Sequence, residues 1–380
     1  MIPAAKPLIG DEEREAVDRV LRSGMIAGGP EVAAFETEFG AQVAGGWTCV
    51  AVNSGTAGSH LGLLAAGVGP GDEVIVPSFT FAATANSVAL TGATPVFADI
   101  EPDYFCLDPA AVEAAITPRT KGIMPVHLYG HPANMTALGA IAAKHGLAIY
   151  EDAAQAHSAA WQGQPVGTFG EFAMFSLYPT KNMTSGEGGM VSCVDEAFAR
   201  RVKLLRNQGM EKRYENEVIG FNARMTDVHA AIGRVQLGKL AGWTKQRQDN
   251  GAFLSANLRG VVVPPVAPGA THVYHQYTIR VVDQDRDVFA AALTERGVGN
   301  GVYYPIPNHR LPSLIQFSPR LGADRQCGTS GCCPAGVCER MAVTEQAARE
   351  CLSLPVHPSL SQQDLETIVS VVNDLASAGA

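Results

Sequence analysis

Charge is scarce in this 380-residue chain: 17% of its residues are Asp, Glu, Lys or Arg, and acids outnumber bases by 37 to 28, a formal net charge of −9. The basic field that long-range attraction to nucleic acid requires is missing, so a DNA- or RNA-binding role is disfavoured. No apolar run is long enough to span a bilayer, and the start, MIPAAKPLIGDEEREAV, lacks a basic segment followed by an apolar core. No membrane association and a cytoplasmic location are therefore expected. Internal repeats and low-complexity tails are absent. Cysteine pairs at zinc-site spacing are absent too. Cys49, Cys106, Cys193 and Cys351 stand singly among apolar residues, as packing thiols do, while Cys327, Cys332, Cys333 and Cys338 follow a C-x4-CC-x4-C pattern that fits no usual metal framework. No metal is expected.

What the chain does have is a 46% hydrophobic content, enough for a sizeable core and two or three domains. From about residue 48, short apolar runs (TCVAV, EVIVP, TPVFADI, GIMPVHL, LAIYE, FAMFSLY) alternate with helix-like stretches. That alternation predicts an α/β fold with a mainly parallel central sheet covered by helices. Near Gly238 a long helical stretch gives way to the Pro-rich VVVPPVAPGA and the strand-like YHQYTIRVV. The shift divides the chain into a large domain at 1–240 and a smaller C-terminal α+β domain at 241–380, with a Cys-rich surface insertion at about 318–341.

Ligands of such sheets bind beyond the carboxyl ends of the strands, so the residues just after each apolar run are the ones to inspect. Three stand out. NSGTAG, Asn53 to Gly58, lies between a strand and a helix, where small residues and free N–H groups suit a phosphate, although such a turn is more often an ordinary connection. Asp152, after Glu151 at the end of LAIY, suits a carboxylate that keeps a pyridine nitrogen protonated, or equally a helix cap. Lys181, after FAMFSLY, suits an amine that bonds an aldehyde, although a lysine in a loop is ordinarily a solvated surface group. Their order along one sheet, a phosphate turn, then an acid, then a lysine, joins the three into one site.

With NSGTAG, GPGDEVIVPSFTFAATAN, GATPVFADI, ITPRTKGIMPVHLYG, YEDAAQAHSA, FSLYPTKNMTSGEGGM, GFNARMTDVHAAIG and CLSLPVHP in place, the chain resembles the DegT-type sugar aminotransferases over nearly its whole length. These are a branch of the fold-type I, aspartate-aminotransferase-like pyridoxal-phosphate enzymes. The resemblance implies pyridoxal 5'-phosphate bonded by Lys181, with Asp152 at the ring nitrogen and Gln155 near the phenolic oxygen. Phe81 would stack on the ring, and Gly55, Thr56 and Ser176 would hold the phosphate. Asn222 would reach the phosphate in a neighbouring subunit, which implies a homodimer with shared active sites. Read as residues alone, Phe81 is equally core, Ser176 a strand-end hydroxyl and Asn222 a turn former. Arg224 and Tyr304 are candidate substrate contacts, or a surface ion pair and a packed ring. Lys212 and Arg213 are further candidates for a pyrophosphate, with a solvated surface the plainer fate.

The implied reaction is ping-pong: L-glutamate leaves its amine on the cofactor as pyridoxamine 5'-phosphate, and a nucleotide-linked keto-sugar then receives it while Lys181 moves the proton. The expected substrate is a dTDP-4-keto-6-deoxyhexose aminated at C4, with C3 of a 3-keto isomer as the alternative. A related sugar dehydratase would carry histidine in place of Lys181, and a non-catalytic regulator or sugar-binding relative would have lost Lys181 or Asp152. The chain departs from the family at Met25, where an aromatic is common, at Tyr303, where a histidine is common, and in the cysteine-bearing insertion.

Overall fold

The computed structural model describes residues 1–317 and 338–378. Most of the expected insertion at 318–341, with Cys327, Cys332 and Cys333, lies outside the described residues. Within them, Cys338 is buried and disulfide-bonded, and Cys49, Cys106, Cys193 and Cys351 are buried free thiols.

The central sheet has seven strands: β1 (Thr48–Val52), β2 (Glu73–Pro77), β3 (Thr94–Ala98), β4 (Thr120–Ile123), β5 (Ala148–Asp152), β6 (Phe172–Ser176) and β7 (Gly189–Cys193). Their spatial order is β1-β7-β6-β5-β4-β2-β3. All neighbours are parallel except β7, which runs antiparallel to both β1 and β6. The strands are apolar on successive residues because both faces are covered. Val50 and Val52 share one face with Phe172 and Val191. Cys49 and Ala51 share the other with Ala173, Phe175 and Met190. Helix α1 (Asp11–Ser23) and helix α2 (Pro30–Gln42) precede the sheet, and Phe35 and Phe39 of α2 join the second of these cores. Helix α3 (Gly55–Ala65) follows β1 and packs against β6. Its close approach requires Gly62, since a Cβ there would fall 2.4 Å from the Phe172 ring.

Helices α4 (Ala83–Leu90), α5 (Pro109–Ala115) and α6 (Met135–His145) follow the next strands, and α7 (Glu196–Arg206) follows β7. Helix α8 (Asp227–Asn257), capped by the Thr226 hydroxyl, then runs unbroken for 31 residues. The expected division at 240/241 falls inside it. Leu237 and Leu240 of α8 belong to the core beneath the sheet, whereas Leu254 belongs to a second core. That core lies between a two-stranded antiparallel sheet, β8 (Tyr277–Arg280) with β9 (Cys351–Leu354), and helices α9 (Arg286–Glu295) and α11 (Gln362–Ala378). Helix α10 (Ala342–Glu350) leads into β9. Ile2 also reaches this second unit, its N–H bonding the Gly297 carbonyl at 2.8 Å. The mainly parallel sheet and the smaller α+β unit agree with the fold class read from the sequence. Among the described residues no helix is long and apolar enough to cross a membrane.

Candidate active site

At the carboxyl edge of the parallel strands lies a cavity of about 630 Å3. Its wall takes Gly55 and Thr56 from the end of β1, Phe81 from the end of β2, Asp152 and Gln155 from β5, and Ser176 and Lys181 from β6. Tyr304 closes it from the C-terminal side. Eight of the ten expected site residues thus share one space.

The phosphate turn is built by α3. Ser54 is extended at the N-cap, and its hydroxyl accepts from the Ala57 N–H at 3.1 Å. The first-turn N–H groups of Gly55 and Thr56, which no helical carbonyl accepts, remain for an anion at the positive end of the helix. Glycine at 55 makes a close fit, since a Cβ there would lie 3.0 Å from Met174 Sδ and from Ser176 Cβ. Its absence brings the Ser176 hydroxyl beside the first turn.

The alternation of β5 sends its two acids to different places. Glu151 is fully buried and accepts from the N–H groups of Gly167 and Phe169, both at 2.8 Å. His127 lies 3.1 Å from it. Because His127 Nδ1 accepts from the Ala133 N–H, its proton sits on Nε2 and is donated to Glu151. Glu151 is an anchor for the strand end. Asp152 faces the cavity, 5% exposed. The Thr84 hydroxyl donates to its Oδ2 at 2.7 Å and the Ala154 N–H to Oδ1 at 3.1 Å. No helix starts here, so a helix-capping role does not apply. Burial raises the Asp152 carboxyl above its ordinary pKa, opposed by these two donors and by the charge of Lys181. Replacing Thr84 with valine removes one stabiliser of the carboxylate, so that pKa is expected to rise by about one unit. The acid limb of a kcat/KM profile should move up in pH by the same amount, and an unmoved limb would show that the hydroxyl does not support the carboxylate.

Lys181 sits in the tight turn after β6, its N–H bonded to the Tyr178 carbonyl. Its side chain is half-buried against the cavity. Burial lowers the amine to about 8, with Asp152 pulling the other way. A substantial share of free amine near neutral pH is what attack on an aldehyde needs. Gln155 accepts the Tyr129 N–H at 2.7 Å and donates to the Tyr304 hydroxyl at 3.1 Å, leaving one amide N–H for a ligand oxygen. Phe81 is 61% exposed, so it is not core. It lies 6.1 Å from the Tyr304 ring.

Asn222 and Arg224 do not line this cavity. Asn222 is exposed and bridges to Asn207, and Arg224 donates to the Asn207 side chain at 2.8 Å. Lys212 and Arg213 are on an exposed hairpin, the first paired with Glu215 and the second over the Tyr214 ring. Thr80, Thr84, Tyr178, Glu187, His275 and Gln276 also line the cavity and were not expected from the sequence. Of these, Thr80 alone carries a signal, as a small polar residue just past the end of β2.

The site fits pyridoxal phosphate. A buried carboxylate with no cation at ion-pair distance among the described residues faces the same space as a lysine amine and a helix N-terminus. These match a pyridinium N–H, an aldehyde and a phosphate. When bound, the cofactor supplies an electron sink for the carbanion left when a carbon-bound proton is removed. Among the described residues no group of His, Cys, Asp and Glu side chains is arranged to hold a metal ion.

The sheet and this constellation define the class: a fold-type I, pyridoxal-phosphate-dependent aminotransferase. The chain belongs to the DegT/DnrJ/EryC1/StrS aminotransferase family, whose model matches residues 7–373, as the motif resemblance implied. It is similar to dTDP-3-amino-3,4,6-trideoxy-alpha-D-glucose transaminase of Streptomyces venezuelae, 40% identical over 379 residues that cover 99% of this chain and 95% of that one. A pleiotropic regulatory protein of Geobacillus stearothermophilus is 40% identical over 369 residues, 95% of this chain and 93% of its own. The crystal structure of S. venezuelae DesV in complex with a ketimine intermediate superposes with a TM-score of 0.88 at 38% identity, covering 98% of this chain and 99% of that chain.

Proposed function

We propose that the chain transfers the amine of L-glutamate to the keto carbon of a nucleotide-linked 6-deoxy sugar. The observation that carries the reading is the placement of Lys181 and Asp152 on one cavity at the carboxyl edge of the sheet. In the cofactor-loaded site the Gly55 and Thr56 N–H groups and the Ser176 hydroxyl would hold the phosphate, Phe81 would cover the ring, and Asp152 would accept the ring nitrogen's N–H. Lys181 Nζ, once free, takes the proton from the α-carbon of the amino donor. In the second half of the cycle it returns a proton to the sugar carbon that receives the amine. Tyr304 and Gln155 close the cavity over the reacting atoms and limit the access of water.

The relative named for a 3-amino sugar favours C3 as the aminated carbon over the C4 expected from overall resemblance. A homodimer with shared sites goes with this reading. Its support is that Asn222 lies outside this chain's own cavity, beside exposed Ile219 and Phe221, a strip suited to a partner surface. A cytoplasmic setting goes with it as well, because both substrates are anions held by charge in the compartment that makes them. The regulatory name of one relative has no counterpart in a site that keeps both its lysine and its acid.

The test is to incubate the purified protein with pyridoxal phosphate, L-glutamate and a panel of 3-keto and 4-keto nucleotide sugars, with the amine position read by NMR. Near-visible absorbance should shift on adding glutamate, and a 3-keto sugar should be consumed fastest. A protein that neither shifts nor aminates any member of the panel overturns the proposal, and amination at C4 overturns the position.

A further inference from the structure

His275 is 5% exposed and lines the cavity that takes in Lys181. Its tautomer follows from its neighbours. Asn182 Nδ2 donates to the Val273 carbonyl at 3.1 Å, which only an amide nitrogen can do. The Asn182 atom 3.3 Å from His275 Nδ1 is therefore Oδ1. An amide oxygen only accepts, so Nδ1 carries the ring proton. Nε2 is left with a lone pair and no partner among the described residues. It is not sealed in either: both ring nitrogens of His157 are buried without partners, but His275 Nε2 is not.

The loop that carries His275 is held from α8. Arg247 Nη1 donates to the carbonyls of Tyr274 and His275 at 3.1 and 3.5 Å, and Gln248 donates to the His272 carbonyl at 3.1 Å. Arg247 is 7% exposed and has no carboxylate at ion-pair distance among the described residues. Burial, then the charges of Lys181, Arg247, His157 and His272, holds the His275 imidazole neutral, well below the usual histidine range. The site therefore contains an acceptor that does not become a donor, tied by its Nδ1 to Asn182, the residue next to Lys181.

We propose that in the cofactor-loaded site His275 Nε2 accepts a hydrogen bond from the Lys181 amine once the cofactor has released it, making His275 a positioning residue for the proton-moving lysine. The inference rests on Lys181 being the reactive amine of the proposed function. An acceptor at that place favours the ammonium and aims its remaining protons at the reacting carbons.

The test uses the full chain loaded with pyridoxamine phosphate, the form in which Lys181 is free. Competitive acetylation across a pH series, read by peptide mass spectrometry, gives the pKa of the Lys181 amine. His275→Phe should lower it by about one unit, the scale of one hydrogen bond to a charged group. His275→Gln, which keeps an acceptor oxygen, should stay near wild type. In the phenylalanine variant kcat should fall about tenfold with KM for the amino donor nearly unchanged, the pattern of a lost transition-state interaction. Asn182→Leu, which leaves the imidazole but frees its tautomer, is the second variant and should move the pKa the same way by less. An unchanged Lys181 pKa in the phenylalanine and leucine variants, or a glutamine variant that falls as far as phenylalanine, overturns the inference. A wild-type protein without a glutamate-dependent absorbance change would instead sink the proposed function.

Discussion

Lys181→Ala is expected to yield a colourless protein whose amination rate is about 10^4-fold or more below wild type. Two losses combine in that figure. The variant has no amine to bond the aldehyde, and it has no base at the position where a carbon-bound proton must leave, an effect worth about 10^2 to 10^4 by itself. The fold should survive, because the lysine is half-buried at a cavity wall and makes no side-chain ion pair within 4 Å among the described residues. The checks are the near-visible spectrum after cofactor addition and single-turnover formation of the amino sugar. A colourless variant that still aminated its substrate at a rate near wild type would remove Lys181 from the mechanism.

Asp152→Asn separates charge from shape. Asparagine keeps one oxygen for the Ala154 N–H and turns its amide nitrogen to the Thr84 hydroxyl, which can accept in place of donating, but it brings no negative charge to the ring nitrogen. A rate loss of about 10^2 to 10^3 is expected, the range for removing one preorganised electrostatic partner from an active site. Stability should not fall with it. Burial alone already disfavours the charged carboxyl, so a neutral group at 152 relieves a desolvation cost in the cofactor-free chain. Urea titration of the two cofactor-free proteins tests the second half, and a variant that lost activity only because it unfolded would fail it.

The parts of this site that could be read in the sequence are those carried on strand ends. Each strand of the parallel sheet is a short apolar run, and the polar residue that breaks it, Asp152 or Ser176, lands on the ligand edge by the geometry of the fold. Lys181 and the Gly55–Thr56 turn follow the same logic. What could not be read is set by contacts between distant segments. Thr84 reaches Asp152 across 68 residues, and His275 reaches Asn182 across 93, and no local pattern encodes either. The role of Glu151 marks the limit: it is adjacent to Asp152 and alike, and the alternation of β5 gives it to the strand anchor and Asp152 to the cavity. The division near 240 was placed where composition begins to drift, but helix-forming residues continue to Asn257. The Pro-rich passage that follows is the actual break in regular structure.

Helix α8 is one rod of 31 residues, roughly 46 Å at the usual rise per residue. It is clamped at its start by Asp227 to the N–H groups of Gly29 and Val32, and its far end is buried in the second core. A girder fixed at both extremities cannot fold in the middle. Swinging the C-terminal unit toward or away from bound sugar therefore has to use pivots in the non-helical chain beyond residue 257, and a proline introduced at mid-rod would uncouple the two halves instead of easing their motion.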